Sequence, residues 1–257
     1  MILSKRIALG GVQLDEIHEA IVIRSIDPGV TKETVSAVTR MGGSGQRMTG
    51  QHWDTLEASV TYAIDVPKRE MMLRRQIFDA VNEWALRKGW LTVNWIKDRR
   101  IYVDKVVLPG SGDMWEWTDE YTITFRAYNV PFWQDASPAQ TVSGTAASGS
   151  VTVQVGGNEQ SVLDVTFQNK SGMTINNFWV QANGNRITLS SLGLGGSGTL
   201  TINHGTDGLL RIRRDGTSVY EKYTGADDLF VNPGNVGVSF GADRAGVLTV
   251  QSYGRWV

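Results

Sequence analysis

Three histidines, His18, His52 and His204, are the side chains best suited to proton transfer or metal binding near neutral pH, and each stands alone in the sequence. None has HxxxH or HxH spacing, so each is expected at the surface or capping a backbone group. There is no cysteine. That excludes a disulfide scaffold, a thiolate zinc site and a catalytic thiol. No Gly-x-Ser-x-Gly marks a nucleophile elbow. The run Gly193-Leu194-Gly195-Gly196-Ser197-Gly198 has the glycines of a phosphate loop but no following Lys-Ser/Thr and no helical pattern, so it reads as a hairpin turn. Asp227-Asp228 and Asp119-Glu120 are adjacent carboxylates. Neighbours on a strand point to opposite faces, whereas glycoside hydrolysis needs two carboxyl groups facing each other across roughly 5 to 9 Å. Solvated positions are expected for both pairs. Asn169-Lys170-Ser171 fits a glycosylation sequon without a secretion signal to make use of it. Trp179, Tyr220, Tyr223 and Trp256 could serve as sugar platforms, but core packing is the first expectation, and either Trp179 or Phe178 must be buried. No catalytic, metal or cofactor-binding residue is assigned. The chain reads as non-enzymatic.

The elements around these residues are mostly strands. The exception is Val66 to Lys88, where Leu73, Ile77, Ala80, Val81 and Trp84 recur at helical spacing, with Pro67 in the first turn and Gly89 just past the last. This helix is expected to cover a sheet built by its neighbours. Glu19 to Ile26 reads as a strand. Thr34 to Met41 and Gln46 to Ile64 read as a long hairpin arm with its tip at Gly42-Gly43-Ser44-Gly45, a disordered loop over 40–52 being the alternative. Ala58, Val60, Tyr62 and Ile64 share one face of the return strand. Trp90 to Ile96 and Ile101 to Leu108 follow the helix. Then comes a long alternation in which Trp115, Trp117, Tyr121, Ile123, Phe125 and Ala127 share a face. These make an α+β domain, 1–134. Residues 135–150 turn small and polar and read as a linker or an extended crossing strand. In 151–257 short strands separated by Asn-Gly, Asp-Gly and Pro-Gly turns describe a β-sandwich. Charge is balanced, 25 Lys and Arg against 26 Asp and Glu, which argues against a broad nucleic-acid face. No stretch reaches the ~20 apolar residues of a membrane span.

The order of these segments resembles the distal tail proteins of long-tailed, non-contractile bacteriophages. The resemblance is carried by WLTVNWIKDRRIYVDKV, by WEWTDEYTITFRAYNVPFW with its Val130-Pro131-Phe132-Trp133 close, and by the ending LFVNPGNVGVSF…VLTVQSYGRWV with Pro233-Gly234-Asn235 and Arg255-Trp256. It implies a mainly β protein in which a ring-forming α+β domain precedes a galectin-like β-sandwich, here without a galactoside-binding signature. It further implies a homo-hexameric ring at the virion tail tip, made in the host cytoplasm, that joins the tail tube protein to the tip or baseplate proteins. The arm around Arg40, Met41, Gly42, Gly43, Ser44, Gly45 and Gln46 would then reach the neighbouring subunit. A carbohydrate-binding module or adhesin recognising host surface glycans is the alternative, and a glycoside hydrolase a distant third.

Overall fold

The computed structural model describes residues 5–39, 46–110 and 120–257, with the backbone alone at 38–39 and 46–51. The chain divides into two compact units, Met1–Trp133 and Gln134–Val257. In the first unit the strands are β1 (Ile7–Leu9), β2 (Val12–Gln13), β3 (Ile21–Asp27), β4 (Thr31–Thr39) and β5 (Gln46–Ile64), then helix α1 (Met71–Leu86), then β6 (Gly89–Val93), β7 (Arg99–Val103), β8 (Lys105–Val107) and β9 (Glu120–Ala127). They form two antiparallel sheets, one ordered β2-β1-β6-β7 and the other β3-β5-β9-β8, with β4 also paired to β5. On β5 and β9 the alternation expected from sequence holds: Ala58, Val60, Tyr62, Ile64, Tyr121, Ile123, Phe125 and Ala127 are all buried. Trp115, Trp117 and Asp119 lie outside the described residues.

The helix is shorter than its sequence signal. It begins at Met71, after a turn in which the Glu70 N–H donates to Pro67 O. Its buried stripe is Arg74, Ile77, Phe78, Val81, Trp84 and Ala85, while Leu73 and Ala80 are only half-buried. Arg74 joins the stripe because its guanidinium donates to the carbonyls of Ile64 and Val66, where β5 ends. The left-handed residue that ends the helix is Lys88 (φ 54°), one position before the expected glycine. Trp84 ties both sheets to the helix: its indole N–H donates to Val12 O at 2.9 Å, and its ring meets Phe125 edge-on at 6.0 Å. Phe78 packs on Tyr121 at 5.1 Å.

Two strand expectations are revised. Ile101 to Leu108 is not one strand, because the chain bends at Asp104, leaving β7 in one sheet and β8 in the other. The Asp104 carboxylate holds the bend by accepting from the backbone of Tyr128 and Asn129 and from the Asn129 amide. Trp95 does not continue β6; a turn closes at Ile96, and Trp95 is 39% exposed.

At the boundary lies β10 (Trp133–Asp135). The second unit continues with β11 (Ala139–Val142), β12 (Ala146–Val155), β13 (Ser161–Asn169), β14 (Phe178–Ala182), β15 (Asn185–Leu189), β16 (Thr199–His204), β17 (Leu210–Arg214), β18 (Thr217–Ser218), β19 (Tyr223–Gly225), β20 (Phe230–Val231), β21 (Gly234–Ser252) and β22 (Arg255–Trp256). The segment 135–150, expected as a linker, is strand over much of its length: β11 and β12 pair with β21. Its small polar side chains are those of an exposed edge, which composition alone does not separate from a linker. The nineteen residues of β21 serve two sheets. Their first half pairs with β12 and β14, their second half with β11 and β13. The two inner faces bury one continuous core in which Phe167 meets Phe178 at 4.9 Å and Phe240 at 6.2 Å. This is a β-sandwich.

Candidate assembly interface

The feature of the first unit with the least internal support is the ribbon of β4 and β5. Between Leu56 and Ala63 β5 lies between two neighbours, with β9 on one side and β3 on the other from Ser59 onward. From Gln46 to Thr55 its one ladder partner among the described residues is β4. Ten residues at about 3.3 Å each carry the ribbon roughly 33 Å beyond the sheet. Six consecutive residues of β4, Lys32 to Ala37, are exposed, so neither face of that strand is covered. Val35 is 50% exposed. Register shifts at Thr31/Glu33 and Ser36/Ala37 add local twist.

The root of the ribbon, by contrast, is clamped. The segment Pro131-Phe132-Trp133, singled out in the sequence as the close of the first domain, supplies the clamp. Thr31 Oγ1 donates to Pro131 O at 2.5 Å, Trp53 meets Phe132 edge-on at 6.0 Å, and Trp133 Nε1 donates to Pro28 O at 3.2 Å. Gly29, in the turn between β3 and β4, has φ 70° and lies so close to β5 that a Cβ would sit 1.8 Å from Glu57 O. Only glycine fits there. Glu57 bridges Lys32 on β4 and Arg126 on β9, each at 2.9 Å. The Lys32 hydrogen bond, opposed by a little burial, holds the Glu57 carboxyl below its usual range.

Of the arm residues named from sequence, Arg40, Met41, Gly42, Gly43, Ser44 and Gly45 lie outside the described residues. Gln46 opens β5 opposite Thr39. The polar run Arg47 to Asp54, which carried little pattern, is strand. A patternless strand is what a ribbon without a buried face produces.

The remaining candidates are structural. His18 Nδ1 accepts the Ala20 N–H, a capping role as expected. His52 is exposed on the ribbon. His204 is not at the surface. Its two ring nitrogens each lie 2.9 Å from a carboxylate, Nδ1 from Asp164 and Nε2 from Asp228, and its side chain is 8% exposed. Burial alone would lower its pKa, but the hydrogen bonds and charges of Asp164 and Asp228 outweigh that and raise it to about 9. The ring is therefore a cation at neutral pH. Asp228, expected to be solvated, is paired because its partner lies 24 positions away. Arg255 joins this charge centre, its pKa lowered by burial against the charges of Asp228, Glu159 and Asp164. Both imidazole nitrogens are occupied from opposite sides, so the two carboxylates do not converge on a common point. Among the described residues no group of three or more His, Cys, Asp or Glu is arranged to hold a metal ion.

Asn169 of the sequon is buried, and its amide donates to the carbonyls of Met173, Leu194 and Gly195. It is a core plug and not an accessible acceptor. The glycine run at 193–198 ends in a turn closed by Gly198 N–H to Gly195 O. Phe178 is the buried member of its pair, and Trp179, half-buried, carries the Arg186 guanidinium over its ring at 4.1 Å. The ring face a sugar would stack on is occupied. Trp256 donates to Asp135 at 2.8 Å, and Tyr220 packs on Tyr223 at 5.3 Å. No helix among the described residues is long and apolar enough to cross a membrane.

No family model matches the sequence, and no curated protein does. Solved structures do. The crystal structure of the Dit protein of phage SPP1 superposes with a TM-score of 0.68 at 15% identity, over 96% of this chain and 98% of that one. The chain has the Dit fold. Chains from two structures of the phage P2 baseplate in its activated conformation, one with Ca and one with Sr, match with TM-scores of 0.48 and 0.46 at 10% identity. They cover 97% and 96% of this chain, and 98% and 97% of their own. SPP1 Dit is described as a paradigm of the hub adsorption apparatus in phages that infect Gram-positive bacteria. The likeness to it runs through both units, so the Dit fold accounts for the helix-on-sheet unit and the sandwich together.

Proposed function

We propose that this chain is a non-enzymatic structural component of a bacteriophage tail, in which copies of it form a ring that joins the tail tube to the tip or baseplate proteins. The ring is six-membered by the sequence resemblance, and it belongs to the virion. The Dit fold supports the hub role, and the β4–β5 ribbon is the observation that carries the assembly. A two-stranded hairpin with no covered face is marginal in water. A heterologous contact, in which each ribbon lies on the next subunit, repeats until it closes into a ring. It would also cover an exposed edge.

The test is mass photometry and negative-stain imaging of the purified chain beside a variant whose residues 34–52 are replaced by a two-residue Asn-Gly turn. The wild type is expected to give rings and the shortened chain monomers with an unchanged circular dichroism spectrum. A wild type that stays monomeric at high concentration, or a shortened chain that still forms rings, overturns the proposal. Tail tube and tip proteins are the partners to add next, with binding expected only for the ring.

A further inference from the structure

A second edge of the molecule lacks the protection that the others have. Exposed strand edges are normally blunted by shortness, charge, proline or a bulge. Among the described residues, β2, β18 and β20 are two residues long and β19 is three. The longer β4 carries Lys32 and Glu33, and β8 carries Lys105. The ten-residue β12 is different. It pairs with β21 on one side and with no other strand among the described residues. From Ala136 to Asn158 the sequence contains no Asp, Glu, Lys or Arg. Thr141 Oγ1 caps the Thr152 carbonyl, and a bulge sits at Ala146/Ser148. Between them Ala147, Ser148, Gly149 and Ser150 are exposed.

We infer that this edge of β12 pairs antiparallel with the same edge of a second copy of the chain, about a two-fold axis near Gly149. An isologous contact requires a surface complementary to itself. A charged edge opposes like charges when it meets its own copy, whereas this one opposes none. Side chains no larger than those of alanine and serine allow the strands to approach to the usual ~4.8 Å. The sandwiches of two copies then share one continuous sheet. This surface is separate from the β4–β5 ribbon, so the pairing couples chains that the ribbon does not.

The absence of cysteine makes cross-linking in the full chain a clean test. Ser148→Cys and Ser150→Cys place a thiol beside the inferred axis, and Ser218→Cys on exposed β18 is the control. Under mild oxidation the two axis variants should form disulfide dimers at least about tenfold faster than the control, as expected for a raised effective concentration. Adding Ser150→Lys to Ser148→Cys should return the rate to that of the control. Mixing that double variant with Ser148→Cys/Ser150→Glu should restore it. Equal rates for axis and control thiols, or indifference to the charge changes, overturn the inference. Performed in the ribbon-shortened chain, the same cross-linking separates this contact from the ring, since either can fail alone.

Discussion

The charge centre at His204 gives the second unit a pH dependence whose size and sign follow from its geometry. In the folded chain the imidazole sits between Asp164 and Asp228 with a pKa of about 9, against an ordinary value of 6.5. A raised folded pKa means that protons favour the native state. The contribution is fully present below pH 6.5 and is lost as pH rises through about 9. At about 1.4 kcal/mol per tenfold change in proton affinity, the interval corresponds to about 3 kcal/mol. Nitrogen-edited NMR of the imidazoles reads this directly, because the chain has only three histidines. One should titrate near 9, and that signal should disappear in His204→Gln. Urea titrations of the full chain at pH 6.5 and 9.5, followed through amides of β13 and β16, should show wild-type stability falling by about 3 kcal/mol and the variant changing far less. A His204 that titrates near 6.5, or a wild type as stable at pH 9.5 as at 6.5, refutes the reasoning.

Two further predictions concern packing. Trp84→Ala should destabilise the first unit by about 3 to 5 kcal/mol, since a fully buried indole is lost. Trp84→Phe keeps most of the ring, leaves Val12 O without its donor, and should cost about 1 to 3 kcal/mol; denaturant unfolding followed through β6 and β9 amides checks both. Asn169→Asp replaces an amide that donates to three carbonyls with a carboxylate facing them. It should cost about 3 kcal/mol or more at pH 7 and less at pH 3, where the protonated acid can donate once. An unchanged unfolding midpoint for the β13 amides at pH 7 would show that the side chain is not the plug described.

Sequence pattern carried what is periodic. The helix stripe, the alternation on β5 and β9 and the many short strands of the sandwich each follow from apolar spacing, and the structure bears them out. What escaped depends on partners distant in the chain. His204 looked isolated because Asp164 and Asp228 are 40 and 24 positions away. The Asp104 bend is invisible without Tyr128 and Asn129, 24 and 25 positions on. Arg74 was left off the buried stripe because a cation is not expected inside, and only the end of β5 explains it. The edge at 139–155 was misjudged for the opposite reason: its residues are so small and neutral that strand and linker have the same composition. The ribbon was legible from its glycine-tipped hairpin pattern, but its clamp was not. Pro131, Phe132 and Trp133 marked a domain end without revealing what they hold.

That clamp bears on how the ribbon could act. A long hairpin joined to its domain by two flexible strands would sample many directions, and docking it on a neighbour would carry a large ordering cost. Here the root is fixed at separate points: the Thr31 hydroxyl, the Trp53 ring, the Pro28 carbonyl and the contact of Gly29 with the β5 backbone. The direction in which the ribbon leaves the sheet is therefore set by the folding of the first unit itself, before any neighbour is met. What remains unsatisfied is the far portion, where Lys32 to Ala37 have no cover on either face. A segment rigid at its base and uncovered at its reach is preorganised for one kind of contact, with a surface held at a fixed distance and angle. A closed ring of identical subunits supplies such a surface to every ribbon at once.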